Sequence, residues 1–431
     1  MKTIINILIL FLLGSLLQNC ATENEKITSK EDYNTYLNSE KQKSLEQAIA
    51  EYKFWEEKLD KTPNQFPYIA KMAAAKTQLF TATGEISHLN EAEALLLNLN
   101  KKTKFENAGY LRSLARNYIS QHQFSKALEA LLKAEKNGEN LEGTQKMLFD
   151  VYLELGNISQ AKHYLLTIKN FSDFDYLIRL SKYNDHEGDL DAAITYLEKA
   201  KTIAESSNID SAKQWTYTNL ADYYGHAGRI KDSYNHYLKA LKIDPEDAYA
   251  KKGIAWIVYS YERNPGEALR ILNSISNNHN TPDYALLKAE ILEFMENDKG
   301  AEEQLNTFQD QVANVAYGEM YNAYKIELWA EDPNTVKDAI TLAEKEIKLR
   351  PTAQAYDLLA WSYFKNNEVD KAYKLINEHV IGHTFEPVAQ FHIAKILKAK
   401  GQVQEAKKIK KELLSSLYEL GPTMEQDIKS I

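Results

Sequence analysis

The feature that most constrains the fold is a pattern of small, aromatic and turn-forming residues that recurs about every 34 residues. The clearest copy spans residues 215–245 and reads WTYTNLADYYGHAGRIKDSYNHYLKALKIDP. Small residues recur at the positions where a second helix would cross a first: Ala127, Ala161, Ala193, Ser233, Ala268, Ala301, Ala339, Ala372 and Ala406. A single helix pair cannot bury its apolar face alone. The pattern therefore predicts that neighbouring pairs stack into a solenoid with a continuous core.

The residue types of the pattern have direct physical reasons. Alanine allows two helix axes to approach closely, and glycine adopts the left-handed conformation of a tight turn. Glycine recurs at the predicted turn, at Gly84, Gly156, Gly188, Gly228 and Gly401. Proline ends a helix, and Pro245 and Pro351 follow predicted second helices. The composition, with 9 prolines and 16 glycines in 431 residues, agrees with an all-α chain.

These residues resemble the tetratricopeptide repeat family. The family pattern is supplied in order by Leu220, Ala221, Tyr224, Gly228, Ser233, Tyr237, Ala240 and Pro245. Two further copies surround Tyr118 and Tyr363, with His122 and Asn367 at the turn position. The resemblance implies an all-α, right-handed superhelical solenoid of about ten helix-turn-helix repeats. We expect the repeats to start near Ala70, Ala108, Glu142, Phe174, Gln214, Ala248, Pro282, Asn314, Ala353 and Pro387.

The N-terminus carries a second signal. Lys2 precedes an apolar stretch of 14 residues from Ile4 to Leu17, which is shorter than the about 20 residues that a membrane-spanning helix needs. Cys20 is the sole cysteine and follows directly. This arrangement resembles the lipidation site of bacterial lipoproteins, and Asn19 before the cysteine resembles the looser form found in Bacteroidetes. An uncleaved anchor, or a signal cut at another point, is the alternative.

The chain therefore divides into five predicted segments. Residues 1–19 form a lipoprotein signal peptide, and 20–31 form the lipidated Cys20 with a polar tether. Residues 32–65 form an N-terminal helical cap, whose apolar stripe would pack against the first repeat. The repeat array occupies 66–416, and 417–431 form a polar C-terminal tail. The lipidation site predicts a lipid-anchored protein of the cell envelope, and because Ala21 follows the cysteine, we expect it at the outer membrane.

Charge and motif content exclude several functions. A net charge of −9 disfavours general nucleic-acid binding, which needs a clustered positive surface. No glycine-rich phosphate loop or nucleophile motif is present, and His379 and His383, four residues apart, have no third metal ligand nearby. We therefore expect a protein that is not an enzyme and that uses no cofactor or metal.

The family resemblance places partner-binding residues on the concave face. In tetratricopeptide proteins the groove is lined by side chains of each first helix. Carried onto this chain, those positions give Arg112, Arg116, Lys146, Lys182, Trp215, Asp222, Tyr249, Lys252, Trp256, Tyr259 and Trp361. The predicted groove is basic towards the N-terminal half and aromatic farther on. For Trp256 and Trp361, packing between first helices is an equally good interpretation.

Such a lining predicts a scaffold that binds a protein or peptide in its groove. Arginine and lysine would contact acidic groups, and tryptophan and tyrosine would provide apolar anchors. The alternative is a glycan or nutrient receptor, because starch-binding lipoproteins of Bacteroidetes also use a tetratricopeptide frame. In that case Trp256, Tyr259 and Trp361 would stack on sugar rings. The sequence leaves the oligomeric state open.

Overall fold

The computed structural model describes residues 25–38 and 43–431. The predicted signal peptide and Cys20 lie outside the described residues. The regular secondary structure of the described chain is helical throughout, as the repeat pattern predicts. None of these helices is long and apolar enough to cross a membrane.

Ten consecutive helix pairs follow one another between residues 66 and 415 of the described chain. The first five repeats are formed by α3 (Phe66–Thr83) and α4 (Ile86–Lys102), α5 (Ala108–Ser120) and α6 (Phe124–Asn137), α7 (Leu141–Glu154) and α8 (Ile158–Thr167), α9 (Phe174–His186) and α10 (Leu190–Ser207), and α11 (Asp210–His226) and α12 (Ile230–Ile243). The last five are formed by α13 (Ala248–Trp256) and α14 (Pro265–Ser276), α15 (Asp283–Phe294) and α16 (Asp298–Val312), α17 (Asn322–Glu331) and α18 (Val336–Leu349), α19 (Ala353–Lys365) and α20 (Val369–Leu375), and α21 (Pro387–Ala399) and α22 (Val403–Ser415). Helices α13 and α20 each continue into a π-helical turn, Ile257–Tyr261 and Ile376–Val380.

The predicted repeat starts agree with these helices to within four residues, except at the eighth repeat. That repeat begins at Asn322 and not near Asn314, because a 3-10 turn at Val315–Tyr317 lengthens the connection. At the helix crossings Ala127, Ala339 and Ala406 are completely buried.

The turns between paired helices have the predicted left-handed backbone. Gly156 and Gly228 have φ angles of 72° and 70°. His122 and Asn367, which replace glycine in two copies, adopt φ angles of 57° and 62°. The turn conformation is therefore kept even where the residue is not glycine.

The superhelix closes on itself, so that later repeats touch earlier ones. The backbone N–H of Asn280 donates a hydrogen bond of 2.8 Å to the carbonyl of Thr83. Gly156 in repeat 3 faces the carbonyl of Pro351 so closely that an added Cβ would lie 2.9 Å from it. Gly188 in repeat 4 lies against the ring of Phe385 in the same way. Repeats 1, 3 and 4 thus contact the segments that lead into repeats 7, 9 and 10.

The predicted N-terminal cap is not one unit. Helix α2 (Lys43–Lys61) packs on α3 of the first repeat. Helix α1 (Lys30–Leu37) instead packs on α12 and α14. Its Tyr33 is buried, and the Tyr33 hydroxyl donates a hydrogen bond of 2.8 Å to Glu267. The buried Glu267 carboxylate needs polar partners, which explains why α1 docks there.

The predicted tether is also shorter than residues 20–31. The backbone N–H groups of Ile27 and Thr28 donate to the carboxylate of Glu262 at 2.7 and 2.6 Å. Tyr234 contacts the backbone of Ser29, and its hydroxyl accepts from the Ser29 N–H at 3.1 Å. Residues 27–29 are therefore part of the folded body.

The prediction of a polar tail at 417–431 is wrong. The segment forms α23 (Leu417–Leu420), a 3-10 turn (Pro422–Met424) and α24 (Glu425–Ser430). Leu420, Ile428 and Ile431 are buried. These few apolar residues share one face in a segment that is polar on average, so composition alone concealed the packing. We call residues 417–431 the C-terminal segment.

Candidate functional site

The first helices of repeats 5 to 10 and the C-terminal segment enclose a cavity of about 740 Å³. We call it the inner cavity. Its described lining includes Asp222, Tyr249, Lys252, Trp256, Asp283, Glu290, Tyr324, Glu327, Glu331, Trp361, Lys365, Val388, Phe391, His392, Lys395, Leu420, Met424 and Asp427. Because every first helix contributes, the side chains converge on one space from six consecutive repeats.

Aromatic rings form both the floor and the accessible rim of the inner cavity. Trp361 is 5% exposed and stacks on His392 with the ring centroids 4.0 Å apart. Its indole N–H donates a hydrogen bond of 2.9 Å to Glu331, which holds the ring in place. By contrast, Tyr249 and Tyr324 are 49% and 45% exposed. These two rings can contact a ligand without rearrangement of the core.

His392 is held by a buried carboxylate. Its Nδ1 lies 2.8 Å from Asp357, and both side chains are 5% exposed. This pair joins α19 to α21 below the Trp361 ring. The pair supports the floor of the cavity: His392 lines it, and Asp357 holds the imidazole from behind.

The lysines of the cavity wall each contact a carboxylate. Lys252 lies 3.0 Å from Asp283, and Lys395 lies 3.8 Å from Asp427. Lys365 forms an ion pair with Glu331. The first and third of these pairs link adjacent first helices of the array, so they stabilise the stacking of repeats as well as lining the cavity.

Three further carboxylates of the wall lack a lysine. Asp222 accepts a hydrogen bond of 2.6 Å from the Tyr249 hydroxyl, and Glu290 accepts one of 3.0 Å from Tyr259. Burial raises the pKa of Glu290 to about 7. Burial also raises the pKa of Glu327 above its ordinary value. The wall therefore contains more carboxyl groups than lysines.

The C-terminal segment closes one side of the inner cavity. The indole N–H of Trp256 donates a hydrogen bond of 3.0 Å to the carbonyl of Tyr418. The Ser260 hydroxyl donates to the same carbonyl at 2.7 Å. Thr423 donates to Glu290 at 3.4 Å. The segment thus binds across the inner face of repeats 6 and 7, which a free polar tail would not do.

The basic residues predicted for the N-terminal half of the groove are mostly paired with neighbouring repeats. Lys146 is buried and lies 2.9 Å from Asp173, at the start of the next repeat. Lys182 lies 2.8 Å from Glu154 in the preceding repeat. Their ammonium groups serve the stacking of repeats 3 and 4.

The two arginines differ from each other. Arg112 donates hydrogen bonds to the carbonyl of Glu139 at 2.7 Å and to Thr144 at 3.1 Å. Arg116 is exposed. Of the four basic residues predicted for the N-terminal half of the groove, Arg116 is the one in the exposed class.

The remaining predicted groove residues separate into three groups. Asp222, Tyr249, Lys252, Trp256 and Trp361 are brought together in the inner cavity. Trp215 is 42% exposed, but it makes an edge contact with Phe174 and is not among the residues that line the cavity.

Tyr259 is fully buried, so its ring belongs to the core and not to a groove surface. It lies in the π-helical turn after α13, where the extra residue per turn changes the faces that side chains occupy.

Sequence reasoning missed several cavity residues. Tyr324, Glu327 and Leu328 lie on α17, in the eighth repeat, where the family pattern is weak and the predicted start was eight residues early. Val388 and Phe391 lie on α21. Their spacing of three or four residues on first helices could have identified them as neighbours on one helix face.

A second, more polar cavity of about 1,010 Å³ lies between the superhelical turns. Its wall brings Asp185, Glu386 and Glu419 together from repeat 4, the loop before repeat 10 and the C-terminal segment. Burial and the two neighbouring carboxylates raise the pKa of Glu419 to about 8. His226 lies 3.8 Å from Glu419.

Among residues 25–38 and 43–431, no group of three or more His, Cys, Asp or Glu side chains is placed to hold a metal ion. The predicted histidine pair does not converge on a site. His379 stacks on the ring of Tyr356 at 3.9 Å.

Comparison with solved structures finds similar helical proteins at low identity. PilF of Pseudomonas aeruginosa is 14% identical, with 49% of this chain and 96% of PilF covered and a TM-score of 0.36. PilW, a type IV pilus biogenesis factor, is 17% identical, with 49% and 95% covered and a TM-score of 0.38. Human IFIT1, solved as a dimer with PPP-AAAA, is 12% identical, with 75% of each chain covered and a TM-score of 0.47.

A search of curated proteins finds no match. The family model of the tetratricopeptide repeat matches residues 174–207 and 216–247. These segments coincide with α9–α10 and with most of α11–α12. Repeats 4 and 5 of this all-α solenoid are therefore similar to tetratricopeptide repeats, and the other helix pairs continue the same stacking.

Proposed function

We propose that this protein is a non-enzymatic scaffold that binds a segment of a partner protein in the inner cavity. The observation that carries the proposal is the exposure of Tyr249 and Tyr324 on the wall of a cavity of about 740 Å³. Large exposed rings in a concave site are typical anchors for a bound chain. Tetratricopeptide repeats are widely used as protein-interaction scaffolds, which supports the same assignment.

The glycan-receptor alternative has less support. It requires Trp256, Tyr259 and Trp361 to stack on sugar rings. Tyr259 is fully buried and Trp361 is 5% exposed, so two of these three rings cannot present a face to a ligand. Tyr249 and Tyr324 could still contact a sugar, and the experiment below distinguishes that outcome.

The proposal includes a lipid anchor at Cys20, after removal of residues 1–19, and a location in the cell envelope at the outer membrane. Ile27 and Thr28 are attached to Glu262 between α13 and α14. The seven residue-to-residue steps from Cys20 to Ile27 span at most about 25 Å, at about 3.6 Å per step. A lipid on Cys20 would therefore hold this side of repeats 5 and 6 close to the membrane.

The partner is tested by capture. The chain from Ala21 to Ile431, without lipid, is immobilised and exposed to detergent-solubilised envelope of the source cell. A Tyr249→Ala/Tyr324→Ala variant removes the exposed rings, and Asp222, which loses the Tyr249 hydrogen bond, keeps the one from Tyr237. Arg116→Glu serves as the matched variant on the inner face of repeat 2.

We expect a specific protein to be retained by the parent and by Arg116→Glu, and to be lost from the double tyrosine variant. Equal retention by all three chains would contradict binding in the inner cavity. Loss through Arg116→Glu alone would place the partner on the N-terminal half. Retention of a glycan in place of a protein would favour the receptor alternative.

The anchor is tested separately. Expression of the full chain with radiolabelled palmitate should label the parent and leave Cys20→Ser unlabelled, with the parent in the membrane fraction. Equal labelling of both chains, or no labelling of either, would contradict lipidation at Cys20.

A further inference from the structure

We infer that the inner cavity recognises a cationic side chain, the guanidinium of arginine or the ammonium of lysine, on the bound partner segment. The inference rests on the proposed function, because it names the chemistry of the segment that occupies the same cavity. It reverses the sequence-based expectation of a basic groove for acidic groups.

Acidic side chains outnumber basic ones on the wall of the inner cavity. The described lining carries six carboxylates, from Asp222, Asp283, Glu290, Glu327, Glu331 and Asp427, and three lysines, Lys252, Lys365 and Lys395. Each of these lysines already contacts one of the carboxylates. No ammonium group of the described wall is therefore left to bind an incoming anion.

Three of these carboxylates have no lysine partner. Asp222 and Glu290 receive hydrogen bonds from tyrosine hydroxyls. Glu327 has neither an ion pair nor a hydrogen bond to its carboxylate among the described residues, and the nearby His392, which favours its charged form, is already bonded to Asp357. A partly buried carboxylate without a counter-charge is costly, and a cation from a ligand would relieve that cost.

Aromatic rings lie beside these carboxylates on the wall. Tyr324 and Glu327 lie three residues apart on α17, so their side chains share one face of the helix. Both line the cavity, together with Tyr249 and Trp256 from α13. A cation bound by a carboxylate can also contact the face of a neighbouring ring, and arginine does so most often.

An anionic or neutral ligand fits less well. A carboxylate entering the cavity would meet three carboxylates that lack lysine partners, and it would make their ionisation still less favourable. A neutral ligand would leave Glu327 without a counter-charge. The acidic and aromatic wall together select for positive charge.

The test uses three pools of fluorescein-labelled nonapeptides with randomised flanks and a fixed central residue: arginine, glutamine or glutamate. Each pool is equilibrated with the immobilised chain from Ala21 to Ile431, and the bound fraction is measured in 50 mM and 500 mM NaCl. Glu327→Gln removes the charge that lacks a partner. Glu302→Gln, exposed on α16, is the matched control.

We expect the arginine pool to be retained about tenfold more than the glutamate pool, which corresponds to one well-placed charge contact. Its retention should fall about fivefold in Glu327→Gln and in high salt, and should not change in Glu302→Gln. The partner captured from envelope should be weakened by Glu327→Gln in the same proportion.

Other results overturn the inference. Preference for the glutamate pool, or equal retention of all pools, would do so. If that binding is lost in Tyr249→Ala/Tyr324→Ala, the proposed function survives and only the charge preference fails. Failure of every pool, together with envelope capture that Glu327→Gln does not alter, also rejects the cationic ligand. Absence of any partner in both experiments rejects the proposed function itself.

Discussion

The first helices of repeats 2 to 4 and of repeats 6 to 10 differ in the side chains that they contribute to the predicted groove. On the N-terminal side, Arg112, Lys146 and Lys182 contact groups in a neighbouring repeat or its connecting loop. On the C-terminal side, Tyr249 and Tyr324 stay exposed above an aromatic floor.

This difference separates two roles of a concave surface. Charged side chains on adjacent first helices neutralise one another and hold the stack together, so they are poorly available to a ligand. On the C-terminal wall Tyr249 and Tyr324 keep about half of their surface exposed, although the Tyr249 hydroxyl is bonded to Asp222 of the preceding repeat. Location on the concave face is therefore not sufficient evidence for binding.

The largest effect should come from reversing a charge in the N-terminal ladder. Lys146→Glu would place a carboxylate beside Glu142, Asp173 and Asp175, where the parent ammonium is buried. We expect a loss of about 3–5 kcal/mol in the local unfolding free energy of α7 and α9. Native-state hydrogen exchange measures this loss. Lys136→Glu, at an exposed position, should change it by less than about 0.5 kcal/mol. A small effect at Lys146 would mean that the ladder does not stabilise the repeats.

The next effect tests whether the C-terminal segment belongs to the cavity wall. Ile428 is fully buried, and Ile428→Ala should lower the unfolding free energy by about 2–4 kcal/mol. Thermal unfolding followed by circular dichroism, with exchange of the α24 amides, provides the measurement. Gln426→Ala, exposed on the same helix, is the control. Equal stability of the two variants would restore the interpretation of a free tail.

A smaller effect depends on pH and concerns the contact between the C-terminal segment and the earlier repeats. The pKa of Glu419 is raised to about 8 by burial and by Glu386 and Asp185, so the folded state holds its proton more tightly than the unfolded state. The stability that this proton contributes is present below about pH 4.5, and it is lost as the pH rises to about 8.

Glu419→Gln should therefore become more stable than the parent by about 1–2 kcal/mol between pH 5 and pH 8.5. His226, whose pKa is lowered by burial, contributes the opposite pH dependence to stability. Because both chains contain His226, its contribution cancels when the variant is compared with the parent. Urea unfolding at several pH values measures the difference in stability, and Glu412→Gln, at an exposed position, should give no such trend. A difference that does not vary with pH would show that Glu419 is not crowded by other carboxylates.

The smallest effect on stability should accompany a large effect on binding. Glu327→Gln removes a carboxylate without a charged partner, so the unfolding free energy should stay within about 0.5 kcal/mol of the parent or rise slightly. Chemical denaturation checks this expectation. A loss above about 1 kcal/mol would mean that Glu327 supports the fold, and the contrast between a structural ladder and a binding wall would weaken.

The repeat register was predictable because it depends on local chemistry. Alanine at helix crossings and left-handed turns at Gly156, Gly228 and Asn367 act within one repeat, and their spacing is visible in the sequence. The eighth repeat was displaced because its connection contains an additional 3-10 turn that disrupts the period.

The terminal segments were not predictable in this way. Tyr33 and Glu267 are 234 residues apart, and Trp256 and Tyr418 are 162 apart. These contacts exist because the superhelix closes after about six repeats, and no local pattern records that geometry. As a result, a cavity forms where the sequence predicted a concave groove and a polar C-terminal tail.

The sequence pointed to some residues of the inner cavity but not to its charge. Five of the residues chosen from the family positions do line the cavity, but the basic character expected of the groove depended on whether each lysine was free. Lys146 and Asp175, on the first helices of adjacent repeats, are 29 residues apart in the sequence, and Lys182 and Glu154 are 28 apart. A search for opposite charges at these separations would have identified the ladder.

Site-specific photo-crosslinking in the living source cell tests whether a partner protein binds in the inner cavity. A benzoylphenylalanine replaces Tyr324 on the wall of the inner cavity or Arg116 on the inner face of repeat 2, since both positions are exposed. If the partner binds in the inner cavity, position 324 should give a discrete cross-linked partner and position 116 should give none. A partner captured from position 116 and not from 324 would contradict binding in the inner cavity.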